Sequence, residues 1–368
     1  MTSDALDYRF MGRALSLAQR GLYSTDPNPR VGCVIVKNGE IVAEGWHEQA
    51  GSDHAEIMAI KSAKQSLEGA CCYVTLEPCA HHGKTPPCAD ALVAAKVSRV
   101  VVAMEDPNPL VAGSGIEILS NAGIEVNIGL MASKAQQLNL GFIKRMTEDL
   151  PYVTCKMGMS MDARTAMASG ESQWITCPES RQQVQLMRAR SSAIITGSGT
   201  VIADNPSMNV RKEQFPETAV DSKVSQPWRV IVDSQRSVPA DSKIFDLEGH
   251  VVWVNSVSSK QQDTDKLSNL VMAGENNMVA LKPLLQWLAQ QGCNEVLIEA
   301  GAKLTGAFIA ADLVDELVLF MAPKLLGDEA RGLVHLPGLD KLADAKRYQV
   351  SDASLCGDDV RLTYKRLS

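Results

Sequence analysis

Four side chains define the chemistry open to this chain: His54, Glu56, Cys79 and Cys88, in the runs His54-Ala55-Glu56, Pro78-Cys79 and Pro87-Cys88. One imidazole and two thiols supply three ligands for a zinc ion. Three protein ligands leave the fourth tetrahedral position to water, which separates a catalytic site from a closed structural one. Two thiolates and a neutral imidazole cancel the charge of Zn2+, yet the metal still lowers the pKa of its water from ~15.7 towards ~7. Hydroxide is then available at neutral pH to attack a ring carbon that carries an amine. Glu56 is the expected proton carrier, passing the water's proton to the ring nitrogen and then to departing ammonia. Two positions at a helix start differ by roughly 200° in azimuth, so His54 can bind metal while Glu56 addresses the substrate.

The elements that must hold these residues follow from hydrophobic period and turn chemistry. Asp7 to Arg20 carries Phe10, Ala14, Leu17 and Ala18 at helical spacing and stops at Gly21. Asp26-Pro27-Asn28-Pro29-Arg30 is a turn-rich entry to a strand from Val31 to Val36. Asn38-Gly39 then accepts the positive φ angles of a type I′ hairpin and returns the chain through Ile41 to Ala43. His54 to Leu67 is expected as the metal-bearing helix, with Ile57, Ile60 and Ala63 facing the core. Val74 to Leu76 is a short central strand that delivers Cys79, and a helix from Ala89 to Ala95 places Cys88 at its start, where the dipole favours a thiolate. A strand from Arg99 to Met104, a helix from Ile116 to Ala122, a strand from Val126 to Gly129 and a helix from Ser133 to Ile143 complete a three-layer α/β domain. Cys71 and Cys72, in an apolar run, read as buried inert thiols.

At 368 residues the chain is too long for one ordinary core. The short polar run Met146 to Pro151 marks the boundary, dividing the chain into residues 1–147 and 148–368. The second half also alternates strands (Ala193–Thr196, Arg229–Val232, Val251–Val254, Glu295–Ile298 and Glu316–Met321, after a first at Tyr152–Met157) with helical patterns at Ser180–Arg190, Leu284–Gln291 and Leu304–Ala311. Gly197-Ser198-Gly199-Thr200 and Gly301-Ala302-Lys303 each read as strand, glycine turn, helix start, a place where exposed amides bind anions or where the glycine only turns the chain. Neither matches G-x-G-x-x-G or the Walker pattern, so a Rossmann domain or an ATPase is not supported.

Lys and Arg total 36 against 43 Asp and Glu, a formal charge of −7, which argues against a nucleic-acid partner. No apolar run approaches the ~20 residues of a membrane helix. Nine cysteines with no export signal point to a reducing cytoplasm. Two other functions stay open on the residues alone: a nucleic-acid deaminase using the same metal motif, and a scaffold in which the zinc is structural.

H-x-E followed by P-C-x-x-C is the zinc deaminase signature, but here Ala80 to Pro87 separate the two cysteines. That insert resembles the loop of riboflavin-pathway deaminases, with His81 and His82 as substrate-side residues or additional ligands. Over the whole chain the resemblance is to the family of bifunctional riboflavin-biosynthesis deaminase–reductases. It is carried by the segments above and by Lys156 to Thr165, Ser169 to Thr176, Thr200 to Pro206 and Glu299-Ala300-Gly301. It implies a cytidine-deaminase-like domain followed by a dihydrofolate-reductase-like α/β domain, and a homodimer in the cytoplasm. His54, Cys79 and Cys88 would bind zinc and Glu56 would carry the proton. Asn28 resembles a substrate-positioning residue, although the local sequence equally allows a simple turn former. In the second half, Gly158, Trp174, Thr200, Asp204, Ser234 and Gly301, Ala302, Lys303, Leu304, Thr305, Gly306 and Ala307 would meet NADPH. Ser172, Arg188, Met208, Arg211 and Glu299 would meet a phosphorylated pyrimidine, with Arg188 and Arg211 gripping its phosphate through planar forks. No residue in this half is an obvious acid, and Asp204 and Glu299 are the carboxylates to test. Ala163 departs from the family's S-x-D-G-R, where glycine is usual.

Overall fold

The computed structural model describes residues 3–80, 87–109, 111–216, 223–257 and 262–367. These form two compact units: Met1–Leu150 with Ser222–Val224, and Pro151–Asp221 with Ser225–Ser368. Among the described residues no helix is long and apolar enough to cross a membrane.

The first unit runs α1 (Ser3–Ala18), β1 (Gly32–Lys37), β2 (Glu40–Trp46), α2 (Ala55–Ser62), β3 (Cys71–Val74), α3 (Cys88–Ala94), β4 (Arg99–Val102), α4 (Ser114–Asn121), β5 (Glu125–Ile128), α5 (Ala132–Leu138) and α6 (Leu140–Glu148). Its sheet has the order β2-β1-β3-β4-β5. β1 lies antiparallel to β2 and β3, and the β3-β4-β5 pairs are parallel. Asn38 and Gly39 both take positive φ, 52° and 79°, as the hairpin turn requires. Phe10, Met11, Ala14 and Leu17 of α1 join Val34, Ile35, Val74 and Val101 in one core, each large side chain contributing about 1.5–3 kcal/mol on burial.

Four details differ from the sequence reading. The metal-bearing helix ends at Ser62, because Ala63 turns to extended backbone. Its fully buried residues are Ala55, Glu56 and Ala59, and Ile60 and Ala63 pack partly buried against the same core as expected. The small residues let the helix backbone settle onto β2 at Gly45, where an added Cβ would stand 2.4 Å from the Ala55 carbonyl oxygen, and this carries Glu56 inward. The regular central strand is Cys71–Val74, and beyond it the Thr75 and Glu77 amides still donate to the Gly32 and Met104 carbonyls at 3.1 and 3.0 Å. The helix expected at Ser133–Ile143 is two helices that meet at Asn139. There the side chain is drawn off to the Arg30 backbone, accepting from its N–H at 2.8 Å and donating to its carbonyl at 3.0 Å. The second of these helices continues to Glu148, through the run read as a polar boundary.

The second unit runs β6 (Tyr152–Ser160), β7 (Arg164–Ala166), α7 (Pro178–Arg190), β8 (Ala193–Gly197), α8 (Ser198–Asp204), β9 (Trp228–Val232), α9 (Lys243–Asp246), β10 (Val251–Asn255), β11 (Leu267–Val271), α10 (Leu281–Gln290), β12 (Glu295–Ile298), α11 (Ala302–Ala310), β13 (Glu316–Ala322), β14 (Arg331–Gly332), β15 (Tyr348–Cys356) and β16 (Asp359–Arg366). The large sheet has the order β11-β10-β9-β8-β12-β6-β13-β16-β15. From β11 to β13 every neighbouring pair is parallel, and the antiparallel hairpin β15–β16 closes the far side. Parallel pairing puts the carboxyl ends of β8, β9, β12, β6 and β13 along one edge, where α/β sheets bind ligands. The hairpin was not read from the sequence: β15 is exposed along most of its length and lacks the buried alternation of a core strand.

Ala163 takes φ 55°, so the backbone has the left-handed conformation that glycine adopts without cost and alanine adopts at roughly 1–2 kcal/mol. The turn is held from outside by Asp162, whose carboxylate accepts from the Ser160 hydroxyl and from the Leu326 and Gly327 amides.

Candidate active sites of the two units

His54 is the residue before α2, and its Nδ1 lies 3.3 Å from Cys88 Sγ and 3.5 Å from Cys79 Sγ. The Cys88 amide donates to Cys79 Sγ at 3.3 Å, and one donor atom from each of the three residues lies within 4.8 Å of the others. The thiols compete for one negative charge. The hydrogen bond with Cys88, and then that with His54, pushes the Cys79 thiol down to about 4, while the same contact and burial push Cys88 up. Charge therefore settles on Cys79 rather than on the helix-start thiol that the dipole argument favoured. A soft, borderline divalent cation fits this donor set, since it neutralises both thiolates while the imidazole stays neutral.

Glu56 is 3% exposed, and burial raises its pKa to about 7. Its carboxyl is thus poised to hold or release a proton near neutral pH. His47 lies beside the cluster, its ring 5.6 Å from that of His54 and perpendicular to it. The Asp53 carbonyl accepts from His47 Nδ1 at 3.1 Å, which leaves Nε2 to accept from the Asn28 amide nitrogen at 3.0 Å. Asn28 Oδ1 is then the atom left to face a substrate N–H. His47 was missed in the sequence because nothing local marks it. His81 and His82 lie outside the described residues.

The loop that carries Cys79 is braced by its neighbour Glu77, whose carboxylate accepts from the amides of Asp106, Gly113 and Gly115 at 3.1, 3.0 and 2.9 Å. Gly115 permits this: an added Cβ would stand 1.9 Å from the Pro78 carbonyl oxygen. Gly115→Ala must displace Pro78 and with it Cys79, so zinc affinity is expected to fall about 10–100-fold, as when an outer-shell support is lost. Competition against a chromophoric chelator measures this. Affinity within two-fold of wild type would show that the loop is not held by this contact. Cys72 is buried, with its thiol 3.4 Å from that of Cys33, and Cys71 is partly buried. None of the nine cysteines is in a disulfide.

In the second unit, Gly197 ends β8 and Gly301 comes three residues after β12, immediately before α11, and the two turns adjoin. A Cβ on Gly301 would stand 3.9 Å from the Thr200 hydroxyl, and one on Gly197 would stand 3.2 Å from Leu304. Of the expected segment, Gly301, Lys303 and Ala307 are exposed, and Ala302 and Leu304 are partly so. Thr305 and Gly306 are buried, and the Thr305 hydroxyl donates to the Ala300 carbonyl at 3.3 Å. The face open to a ligand is therefore the first turn of α11, because the second turn is rotated into the core. Gly158 lies on β6 against Thr176, and Trp174 is exposed under the Arg181 guanidinium at 4.8 Å. Asp204 closes α8 and is exposed, Ser172 is partly buried, and Ser234 follows β9.

Arg188 does not offer the free fork expected of it. Its Nε and Nη2 donate to the two Glu299 carboxylate oxygens at 2.6 and 3.0 Å, and its other contacts are the Asn209 carbonyl and Met208 Sδ. Both side chains of the pair are 9% exposed, so each neutralises the other before any ligand arrives. Arg211 is different. Its Nε is buried with no hydrogen-bond partner among the described residues, and burial, reinforced by Arg188, lowers its pKa. A desolvated cation beside another cation calls for an anion.

Lys156 lies within one of the segments that carry the family resemblance, which implies no role for it. β6 alternates, burying Val153, Cys155, Met157 and Met159 on one face and presenting Thr154, Lys156 and Gly158 on the other. Burial lowers the Lys156 pKa, with Glu299 opposing and Arg188 adding. The signal was the period-2 alternation through Ser160, which a strand ended at Met157 cuts short.

Comparison with known proteins places both units in known families. The family profile "Cytidine and deoxycytidylate deaminase zinc-binding region" matches residues 5–104, and "RibD C-terminal domain" matches residues 151–361. The riboflavin biosynthesis protein RibD of Haemophilus influenzae is 51% identical over 366 residues, covering 97% of each chain. That of Escherichia coli is 49% identical over 360 residues, covering 97% of this chain and 98% of its own. Among solved structures, Acinetobacter baumannii RibD superposes with a TM-score of 0.91 at 44% identity over 100% of both chains. The Thermotoga maritima diaminohydroxyphosphoribosylaminopyrimidine deaminase/5-amino-6-(5-phosphoribosylamino)uracil reductase gives 0.88 at 31% identity over 99% of both. The chain belongs to the RibD family of riboflavin biosynthesis, bifunctional enzymes in which a zinc-binding deaminase domain is joined to a reductase domain.

Proposed function

We propose that residues 1–147 deaminate 2,5-diamino-6-ribosylamino-4(3H)-pyrimidinone 5′-phosphate and that residues 148–368 then reduce its ribosyl group to ribityl with NADPH. The printed name of the Thermotoga maritima relative supports this substrate. The convergence of His54, Cys79 and Cys88 beside a buried Glu56 carries the first step. These three residues would hold Zn2+, which supplies an acidified water at its open position. Glu56 takes a proton from the attacking water and returns it to the departing amine, so that water enters and ammonia leaves in balance. His47 orients Asn28, whose Oδ1 accepts from a substrate N–H.

In the second unit NADPH supplies hydride to the sugar carbon. The amides of the Gly301 turn and the Thr200 hydroxyl face its pyrophosphate. Arg211 receives the substrate phosphate, while the Arg188–Glu299 pair shapes the wall beside it. Lys156, on the open face of β6 within the field of Glu299, holds the proton that the opening sugar oxygen needs. The family likeness further supports a homodimer in the cytoplasm.

The test follows both products from one reaction. With the diaminopyrimidine substrate, ammonia release is expected without NADPH, and NADPH oxidation only after ammonia has appeared. NADPH oxidation with no ammonia would reverse the order of steps. Ammonia release unaffected by removal of zinc would exclude the metal site. Salt-dependent RNA binding would favour a nucleic-acid deaminase instead.

A further inference from the structure

An arginine that awaits an anion has to be aimed through its backbone when no side chain of the protein holds its charged end. Arg211 is such a residue, its Nε buried with no partner among the described residues. The chain that carries it, Met208 to Arg211, lies between α8 and β9 and belongs to neither. It gains no order from a helix or a sheet ladder, so side chains from other elements must supply it.

They do so at each successive residue. Met208 takes φ 49°, a left-handed backbone that a non-glycine residue keeps only where its surroundings over-determine it. Arg188 Nη1 donates to the Asn209 carbonyl at 3.0 Å. The Gln226 side-chain amide meets both backbone groups of Val210, accepting from its N–H at 2.9 Å and donating to its carbonyl at 3.0 Å. The Arg211 N–H donates to Gln185 Oε1 at 3.0 Å, and the Arg211 carbonyl accepts from the Gln214 N–H at 3.0 Å. Gln185 Nε2 donates in turn to Gln214 Oε1 at 3.2 Å, which closes a ring of hydrogen bonds around Arg211. Gln185 is 3% exposed and stands three residues before Arg188 on α7, so one face of that helix grips the segment at two points.

Only the Gln185 contact acts on the backbone N–H of Arg211 itself. Arg211 is extended, with φ −112° and ψ 96°, and the bond to its amide fixes the direction in which the side chain leaves the backbone. A donor held in place before the ligand arrives needs no reorganisation when it binds. We propose that Gln185 is a positioning residue of the reductase, aiming Arg211 at the substrate phosphate and so setting a preference for a phosphorylated over a dephosphorylated sugar. The assignment rests on the reading that Arg211 receives that phosphate.

The test uses Gln185→Met, which keeps the length of the side chain and removes both of its hydrogen-bonding ends. Reduction of the deaminated substrate and of its dephosphorylated form is measured with saturating NADPH in wild type, Gln185→Met, Arg211→Met and the double variant. The ratio of kcat/KM for the phosphorylated to the dephosphorylated form is expected to fall about 10-fold in Gln185→Met, through KM rather than kcat, and about 10²-fold in Arg211→Met. Because Gln185 acts through Arg211, the double variant is expected to fall no further than Arg211→Met alone, whereas independent losses would multiply. Inhibition by ribose 5-phosphate gives the same comparison without turnover of a second substrate, and it should weaken by a similar factor in Gln185→Met. A ratio within two-fold of wild type in Gln185→Met, equal losses on both substrates, or losses that multiply in the double variant would overturn the assignment and leave Gln185 as a structural contact of α7. A ratio unchanged in Arg211→Met would overturn the phosphate reading itself and the assignment with it, a result distinct from a failure at Gln185 alone.

Discussion

Glu56→Gln is expected to lower ammonia release by about 10²–10⁴-fold while NADPH oxidation with the deaminated intermediate continues at the wild-type rate. Glutamine keeps the shape of the carboxyl but cannot carry a proton. The fold of α2 should tolerate it, because its packing depends on Ala55 and Ala59 against Gly45. Zinc content should also be retained, since Glu56 is not among the three clustered donors. The effect is large because no second carboxylate joins that cluster among the described residues, and burial has already tuned this one to about 7. Separate assays of ammonia and NADPH decide the matter. Loss of both activities in a folded protein would refute the division of labour between the halves.

The second large effect concerns Arg188. Arg188→Ala leaves Glu299 buried beside Lys156 without its bidentate partner, and breaking a buried pair from one side costs about 3–5 kcal/mol. Urea denaturation of the second unit should report this loss, and kcat/KM for reduction should fall with it. Replacing both residues, Arg188→Met with Glu299→Gln, should recover part of the stability but not the activity. If Arg188→Ala costs under 1 kcal/mol, the pair is solvated and the buried geometry is wrong.

The same pair has a sign in pH. Burial works to raise the Glu299 pKa, but the Arg188 charge and hydrogen bonds prevail and hold it below its ordinary 4.5. A depressed carboxylate binds fewer protons in the folded state than in the unfolded one. Its stabilisation is therefore complete above about pH 4.5 and is lost as the pH falls through the depressed folded value. Acid unfolding of the wild type should show this dependence, and Glu299→Gln should remove it.

How much was legible in advance depended on the range of the interactions. The type I′ hairpin at Asn38-Gly39 and the buried stripe of α1 were readable because a turn and a helical period are local. The end of α2 was misplaced because Ile57, Ile60 and Ala63 make a plausible apolar face. The close approach at Gly45 on β2 drew in Ala55 and Ala59 and so carried Glu56 to the buried side, while Ile60 and Ala63 pack against the same core. Asn139 broke a helix whose period looked continuous, for the sake of two hydrogen bonds to the Arg30 backbone. The terminal hairpin escaped because an exposed edge strand carries no hydrophobic signature.

The chemistry of the first site was determined by the sequence alone. An imidazole and a carboxylate two residues apart, with two thiols each preceded by proline, restrict the ligand set before any folding is considered. The alternation of strands and helices, a period visible within each segment, likewise specified two α/β halves. Tertiary structure decided which charges remain available to a ligand. Arg188 and Arg211 look alike in the chain, but Glu299, 111 residues from Arg188, occupies the first and leaves the second in need of an anion. Asp233 and Arg236 are three residues apart, yet the fold turns the first inward onto the Ser237 and Val238 amides and the Trp253 indole and stacks the second on the Trp253 ring. The reason is that desolvation and ion pairing depend on neighbours brought together by the fold, whereas donor identity and hydrophobic period belong to the residue and its immediate sequence.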